Sequence, residues 1–397
     1  MQQQLKTGVI GKTNYDFILS SLLFLYCAFL PFEEALASSF GSVLRLFGLL
    51  IIAYCVLAFF RVKISTSEFR IIAPFLLWIF YSFLSVIWSR DFSWWFYFFK
   101  MYVAQMAFVC VLVAYRKKIS FEYVKAGLML GAFLASAFII FSPQQSIMTA
   151  DGRRSIVLFG NEFDPNIVAS IIMIGIFSVA EKIFSFKKLS FIHLILVSFF
   201  SLGLFFTGSR GGVISLVVGL IVLLLLQAKR KETRKRALLL LALCAAIVLF
   251  ASLVLPEELI AARFSKETIF GFDEIETGSH GRYVIWKHAI SLIGNAPLLG
   301  VGCGNFFSAI AEVYKECASH NLYILLLVEN GVVGFLIFAT GIVFLFREVY
   351  KRKAVPVFSL LCAVFVMAMT LDTITYKYFW ISVFVAIVAA AEPINIE

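Results

Sequence analysis

Charge is what this 397-residue chain has least of: Asp, Glu, Lys and Arg make up 15% of it, against 61% hydrophobic residues. A mean hydropathy of +0.95 lies far from that of water-soluble domains and excludes a soluble enzyme. Histidine is scarcer still. The four present (His193, His280, His288 and His320) show no metal-ligand spacing, and no Asp-x-Asp-like pair falls on the face assigned below to the outside, so no metal is expected. The first apolar run, preceded by Lys6 and Lys12, has the pattern of a signal peptide, but no small-residue cleavage site after it is convincing and the same apolar pattern recurs eleven more times. That run therefore reads as an uncleaved first span rather than a signal peptide. Seven cysteines make no disulfide framework, because Cys27, Cys55, Cys110, Cys244 and Cys362 lie within apolar stretches as small hydrophobes. Cys303 and Cys317 remain as one pair open to bridging in an oxidising compartment.

What the chain does have is length of apolar run. Twelve stretches can span a bilayer, near residues 15–31, 42–60, 69–88, 95–115, 122–141, 164–181, 190–206, 211–227, 236–255, 320–346, 355–371 and 376–391. With the amino terminus inside, the cytoplasmic connections and tail collect 21 of the 34 Lys and Arg, and every even-numbered connection is basic. Both termini are then cytoplasmic. The net charge of +10 is thereby an orientation signal, and no nucleic-acid partner is expected. Only ten Lys or Arg fall in the outer connections: Arg45, Arg90, Arg153, Arg154, Arg210, Arg263, Lys266, Arg282, Lys287 and Lys315. An anionic ligand or anionic lipid headgroups would each explain cations kept on that face.

Arg210 stands in Phe206-Thr-Gly-Ser-Arg-Gly-Gly212, a turn of a few residues between two apolar stretches. Glycines there allow close backbone approach to a ligand, and a planar guanidinium suits phosphate oxygens. A turn arginine snorkelling to headgroups is the alternative. One connection is far longer than the rest, Pro256 to Ser319. It carries Glu257, Glu258, Glu267, Asp273, Glu274 and Glu276, then a helix predicted over 282–293. Arg282, Ile285, Trp286, Ala289 and Ile293 share one face of that helix, with Lys287, His288 and Ser291 turned away, as expected of an interfacial helix. The following Gly300-Val-Gly-Cys-Gly-Asn-Phe306 has no strand before it, so a dinucleotide site is rejected. Ser319-His-Asn-Leu-Tyr323 then leads into the tenth span, which contains Glu329-Asn-Gly331. His320 suits proton transfer near neutral pH. Glu329, about 13 Å further down a straight helix, is either functional or bonded to a neighbouring span.

Taken together, Thr207-Gly-Ser-Arg-Gly211, Gly281-Arg-Tyr-Val-Ile-Trp286 and Ser319-His-Asn-Leu-Tyr with Glu329-Asn-Gly331 resemble the O-antigen ligase and polymerase superfamily. A fourth element, Arg153-Arg154 followed by Gly160-Asn-Glu-Phe-Asp-Pro-Asn166, resembles the family's arginine and Pro-Asn segment. The resemblance implies an all-α polytopic membrane protein of the GT-C type, an inverting, metal-independent glycosyltransferase with no cofactor. Its donor would be an undecaprenyl-diphosphate-linked glycan. Arg210 and Arg282 would hold the diphosphate with help from Arg154, His320 would act as base, and Asn321 and Glu329 would position the acceptor. Lys100, just inside the fourth span, is read as a snorkelling lysine.

The expected organisation is a membrane part over 1–255, a periplasmic loop over 256–319, and a second membrane part over 320–397. The compact single loop favours an O-antigen ligase of the bacterial inner membrane, acting at the periplasmic face on lipid A-core. A polymerase acting on a lipid-linked repeat unit is the alternative. A twelve-span exporter of lipid-linked glycans comes from another class, and the lack of an internal repeat and of midplane charges counts against it.

Overall fold

A computed structural model describes residues 15–34, 36, 42–59, 64–142, 154–158, 161–185, 189–229, 231–254 and 282–391, with 161, 162 and 254 defined by backbone alone. All twelve apolar stretches are helical. In chain order the helices are α1 Phe17–Phe29, α2 Val43–Ala58, α3 Thr66–Leu84, α4 Phe92–Ala114, α5 Phe121–Phe141, α6 Pro165–Ser185, α7 Phe191–Phe206, α8 Arg210–Gln227 and α9 Lys231–Val254. Two shorter ones follow in the long connection, α10 Arg282–Asn295 and α11 Phe306–Val313. The last three are α12 Leu322–Lys351, α13 Val355–Met367 and α14 Lys377–Ala391. Helices α3–α6, α8, α9 and α12 are long and apolar enough to cross a membrane, and α1, α2, α7, α13 and α14 are shorter apolar helices. The chain is an all-α polytopic membrane protein. Among the described residues the only strands are β1 Val157–Leu158 and β2 Asn161–Glu162, a two-residue antiparallel ladder.

Helices dominate because an apolar backbone in lipid must satisfy its own N–H and C=O groups. Polar caps start them: Asp16, Ser42, Ser65, Asp91, Ser209 and Asn321 each accept from a first-turn amide. Helix α6 forms the middle of the bundle, buried along nearly its whole length. The carboxylates predicted in 257–276 lie outside the described residues.

The bundle has two chemically distinct ends. At one end Asp16 N donates to Lys118 O (2.8 Å), Arg116 pairs with the buried Glu68, and Lys125 bonds Glu181 at 3.1 Å. Lys182 pairs with Glu122, and Arg236 Nη1 donates to Ile183 O at 2.6 Å. These are the connections read from sequence as basic. The opposite end gathers the starts of α6, α8, α12 and α14, and carries the site.

Helix α12 is not continuous. Gly331 has φ 60° and ψ −170°, breaking the helix after Leu322–Asn330, about two and a half turns. The freed amides of Val332 and Val333 donate to Pro297 O (2.9 Å) and Leu298 O (3.2 Å), while Val301 N and Gly302 N donate to Val328 O and Glu329 O at 2.9 Å each. The Gly300–Phe306 run therefore lies in the break as a packed insert, where the sequence suggested a free outer loop. A Cβ on Gly300 would stand 2.4 Å from Glu329 O, and one on Gly331 2.3 Å from Leu298 O. Only glycine permits both that approach and the positive φ. Asn305 staples the insert to the α3–α4 connection, accepting from Asp91 N at 2.6 Å and donating to Ser89 Oγ at 2.6 Å.

Candidate functional site

Arg210 is the first residue of α8, behind a turn of only Thr207–Ser209. Gly208 takes φ 65°, and the turn closes on itself. Ser209 N donates to Thr207 Oγ1 (3.1 Å) and Gly212 N to Ser209 Oγ (3.0 Å). Those two amides serve the turn and the helix cap. The glycines also permit close packing. A Cβ on Gly211 would meet Thr370 Oγ1 at 2.5 Å, and one on Gly212 would meet Ala169 at 2.8 Å.

The Pro-Asn element meets the same turn. Asn166, in the first turn of α6, accepts from Ser209 Oγ at 2.8 Å and is held by Asp164 Oδ1 through its backbone N (2.7 Å) and Nδ2 (2.9 Å). Arg154 lies with its guanidinium 4.9 Å from the Phe206 ring centre, one residue before the turn, and burial lowers its pKa. A partly desolvated cation gains more from a nearby anion than a hydrated one does. Arg153 lies outside the described residues.

Arg282 opens α10, whose Ile285, Ala289 and Leu292 are buried. Trp286 Nε1 donates to Ser319 O at 3.0 Å, tying this arginine helix to the histidine turn. His288, expected to turn away from the Ile285 face, stacks on Tyr314 with ring centres 5.2 Å apart.

His320 has φ 50°, a left-handed conformation uncommon outside glycine. The group that secures it is Asp372, which sequence reasoning missed. Its Oδ2 accepts from His320 N at 3.3 Å, and its Oδ1 accepts from Asn321 N at 3.0 Å and from the Ser319 hydroxyl. Three donors on one carboxylate over-determine the turn. Thr370-Leu-Asp372 thus joins the two motifs, with Thr370 packed on Gly211 and Asp372 clamping 319–321. The signal available in sequence was a lone acid in the short connection between the last two spans.

Two predicted positioning residues have other occupations. Asn321 caps α12, its Oδ1 accepting from Tyr323 N (3.0 Å) and Ile324 N (3.2 Å) and its Nδ2 donating to Met369 O (3.2 Å). Glu329 is buried beneath the insert and accepts from Phe306 N at 3.2 Å. It holds the insert rather than a neighbouring span. Lys100 rests over the rings of Phe96 (5.1 Å) and Tyr97 (5.4 Å) of its own helix, as a snorkelling lysine would. Cys303 and Cys317 are both free thiols. Among the described residues no group of three or more His, Cys, Asp or Glu side chains comes together to hold a metal.

Fold and site together define a class: a polytopic helical membrane protein whose arginine-bearing and histidine-bearing turns are fastened into one assembly at one end of the bundle. Residues 194–339 match the model of the family described as O-Antigen ligase, a similarity that supports an O-antigen ligase-type or polymerase-type enzyme. Arg210, Arg282 and His320 all fall inside the match; Arg154, Asn166 and Asp372 lie beyond its two ends. No curated protein matches the chain.

Proposed function

We propose that the chain transfers a glycan from an undecaprenyl-diphosphate carrier to an acceptor hydroxyl at the periplasmic face of the inner membrane, as an O-antigen ligase using lipid A-core. The observation that carries this reading is the fastening of the three motifs. Arg210 sits beside Ser209, which bonds Asn166; Arg282 sits one turn from Trp286, which bonds Ser319; and Asp372 holds the amides of His320 and Asn321.

Arg210 and Arg282, with Arg154, grip the diphosphate and stabilise the charge that grows on it as the sugar C1–O bond breaks. His320 takes the proton of the acceptor hydroxyl, whose oxygen forms the new bond to C1 from the opposite face. The carrier leaves as undecaprenyl diphosphate, and inversion follows from the single displacement. Two or three guanidiniums supply the positive charge, so transfer is expected to persist in chelator.

The test is acceptor identification with purified protein in nanodiscs. Lipid-linked glycan is the donor, and lipid A-core and lipid-linked repeat unit are offered separately. Product on lipid A-core alone supports the ligase. Product on the repeat unit alone makes the chain a polymerase, and product on neither overturns glycosyl transfer.

A further inference from the structure

Two ties set how α10 lies against α12, on which it packs. Near its start Trp286 Nε1 donates to Ser319 O, just before α12 begins. Just past its end, Pro297 O and Leu298 O accept from Val332 N and Val333 N, at the break. On both chains the ties stand about 15 Å apart at a helical rise. Helix α10 therefore runs antiparallel to the upper half of α12, and the turn Pro297–Leu299 is its lower end.

That turn lies well below the site end of the bundle. Val333 is fourteen residues along α12 from Arg347, about 21 Å from the basic end. Tyr81, whose hydroxyl donates to Leu299 O at 3.1 Å, is eleven residues along α3 from Arg70, about 16 Å. With both arginines at the near boundary of a hydrocarbon core about 30 Å thick, the turn falls about 9–14 Å inside the far boundary. Its carbonyls are bonded inward. Ala296 O accepts from Gly300 N (3.0 Å), Pro297 O from Val332 N (2.9 Å) and Leu298 O from Val333 N (3.2 Å), and Leu299 O from Tyr81, while Pro297 has no N–H to satisfy. An unbonded backbone group is costly in hydrocarbon, and these bonds remove that cost. The side chains turn the other way: Leu298 and Leu299 are 65% and 47% exposed, beside the exposed Val332, Val333 and Leu336 of a helix apolar enough to cross a membrane.

We propose that Pro297–Leu299 is a re-entrant tip whose two leucines are immersed among phospholipid acyl chains. The lipid-facing surface of α12 continues onto it through Val332 and Val333. The exposed residues of α10 follow the same gradient of depth. Tyr283 and Lys287 stand toward the site end, where an amphipathic ring and a snorkelling cation belong, and Ile290 and then Leu298 lie deeper. Ser291 and Asn295, also exposed, are turned about 100° and 140° round the helix from Ile290 and form a polar flank away from the chains. The helix that the sequence suggested would lie flat in the interface thus stands on end. Arg282 is about 6 Å beyond Trp286, on the side away from the tip, so the leucines set the depth at which its guanidinium is held.

The experiment uses the full chain in phospholipid nanodiscs, with no donor or acceptor present, so its outcome is separate from that of glycosyl transfer. The photo-reactive residue p-benzoylphenylalanine replaces Leu298 or Ser291, and adducts are read by mass spectrometry after irradiation. A phospholipid adduct is expected to form predominantly at Leu298. Equal yields at the two positions, no phospholipid adduct at Leu298, or a cross-link from Leu298 to a second copy of the chain overturns the tip. Leu298→Trp is a milder change at the same exposed position. Its added fluorescence, taken as the difference from wild type, should be lost in lipids brominated on the acyl chain and kept in aqueous iodide. Quenching by iodide and not by the brominated lipids overturns the tip as well.

Discussion

The two ends of the bundle use their carboxylates differently. At the basic end, cations close on acids or carbonyls: Arg116 on Glu68, Lys125 on Glu122 and Glu181, Arg236 on Ile183 O. At the site end, the carboxylates of Asp164, Asp372 and Glu329 accept from backbone amides, and the Arg154 guanidinium lies on an aromatic ring. Ion pairs at the first end lock helices together. Amide-bound carboxylates at the second end lock turns. The difference separates the fastening of helices from the shaping of turns within one bundle.

Removing a guanidinium should break the site end most. Arg210→Ala and Arg282→Ala are each expected to lower transfer by about 10³-fold or more, the range seen when a group that stabilises developing charge is lost. Membrane insertion, read by protease accessibility, should be unchanged. Lysine replacements should fail as well, since a point charge does not reproduce a bidentate fork; near-normal transfer by either would refute the diphosphate grip. His320→Gln comes next, at about 10²–10⁴-fold in kcat. Its pH–rate profile should lose the group that titrates near neutrality in wild type.

Asp372→Asn tests whether the amide clamp matters apart from the bases and cations it holds. Charge-assisted hydrogen bonds are worth about 1.5–3 kcal/mol each, so kcat should fall roughly 10–100-fold while donor binding, measured by lipid-linked glycan pull-down, holds. At the opposite end, Arg116→Ala should leave both KM values alone. It strands a carboxylate that is 1% exposed and is expected to cost about 3–5 kcal/mol of stability, seen as a lower thermal midpoint. A loss of catalysis without loss of stability there would erase the distinction between the ends.

The smallest effect concerns pH. Burial, with the Asp164 charge second, pushes the Glu34 carboxyl up from its ordinary 4.5 to about 7. A raised carboxyl pKa favours the folded state while protonated. This contribution is therefore full below about pH 4.5 and lost as pH rises through 7. The thermal midpoint of wild type should fall across that window relative to Glu34→Gln. Parallel curves for the two proteins would contradict the shift.

The twelve helices were legible because lipid imposes one rule on every residue of a span, and a long apolar run satisfies it without reference to the rest of the chain. The arginine and histidine turns were legible for a related reason: cations and a lone histidine are conspicuous against 61% hydrophobic sequence. Asp372 was not, since nothing local marks a single acid as the partner of amides some fifty residues earlier. Lys377 was counted within a span, yet it pairs with Glu33 at the site end. The break at Gly331 was equally hidden, because Glu329-Asn-Gly331 acquires its meaning from the insert it pairs with, about thirty residues upstream.

That break has a mechanical consequence. Above Gly331, α12 carries the histidine turn; below it, the first free amides of residues 332–351 hang on Pro297 and Leu298, at the foot of the Arg282 helix. Val301 N and Gly302 N bond Val328 O and Glu329 O on the other side of the break, so one insert splices both halves of α12. A side chain added at Gly300 or Gly331 would meet backbone at 2.4 or 2.3 Å, so either substitution is expected to loosen the Arg282 helix and the His320 turn together.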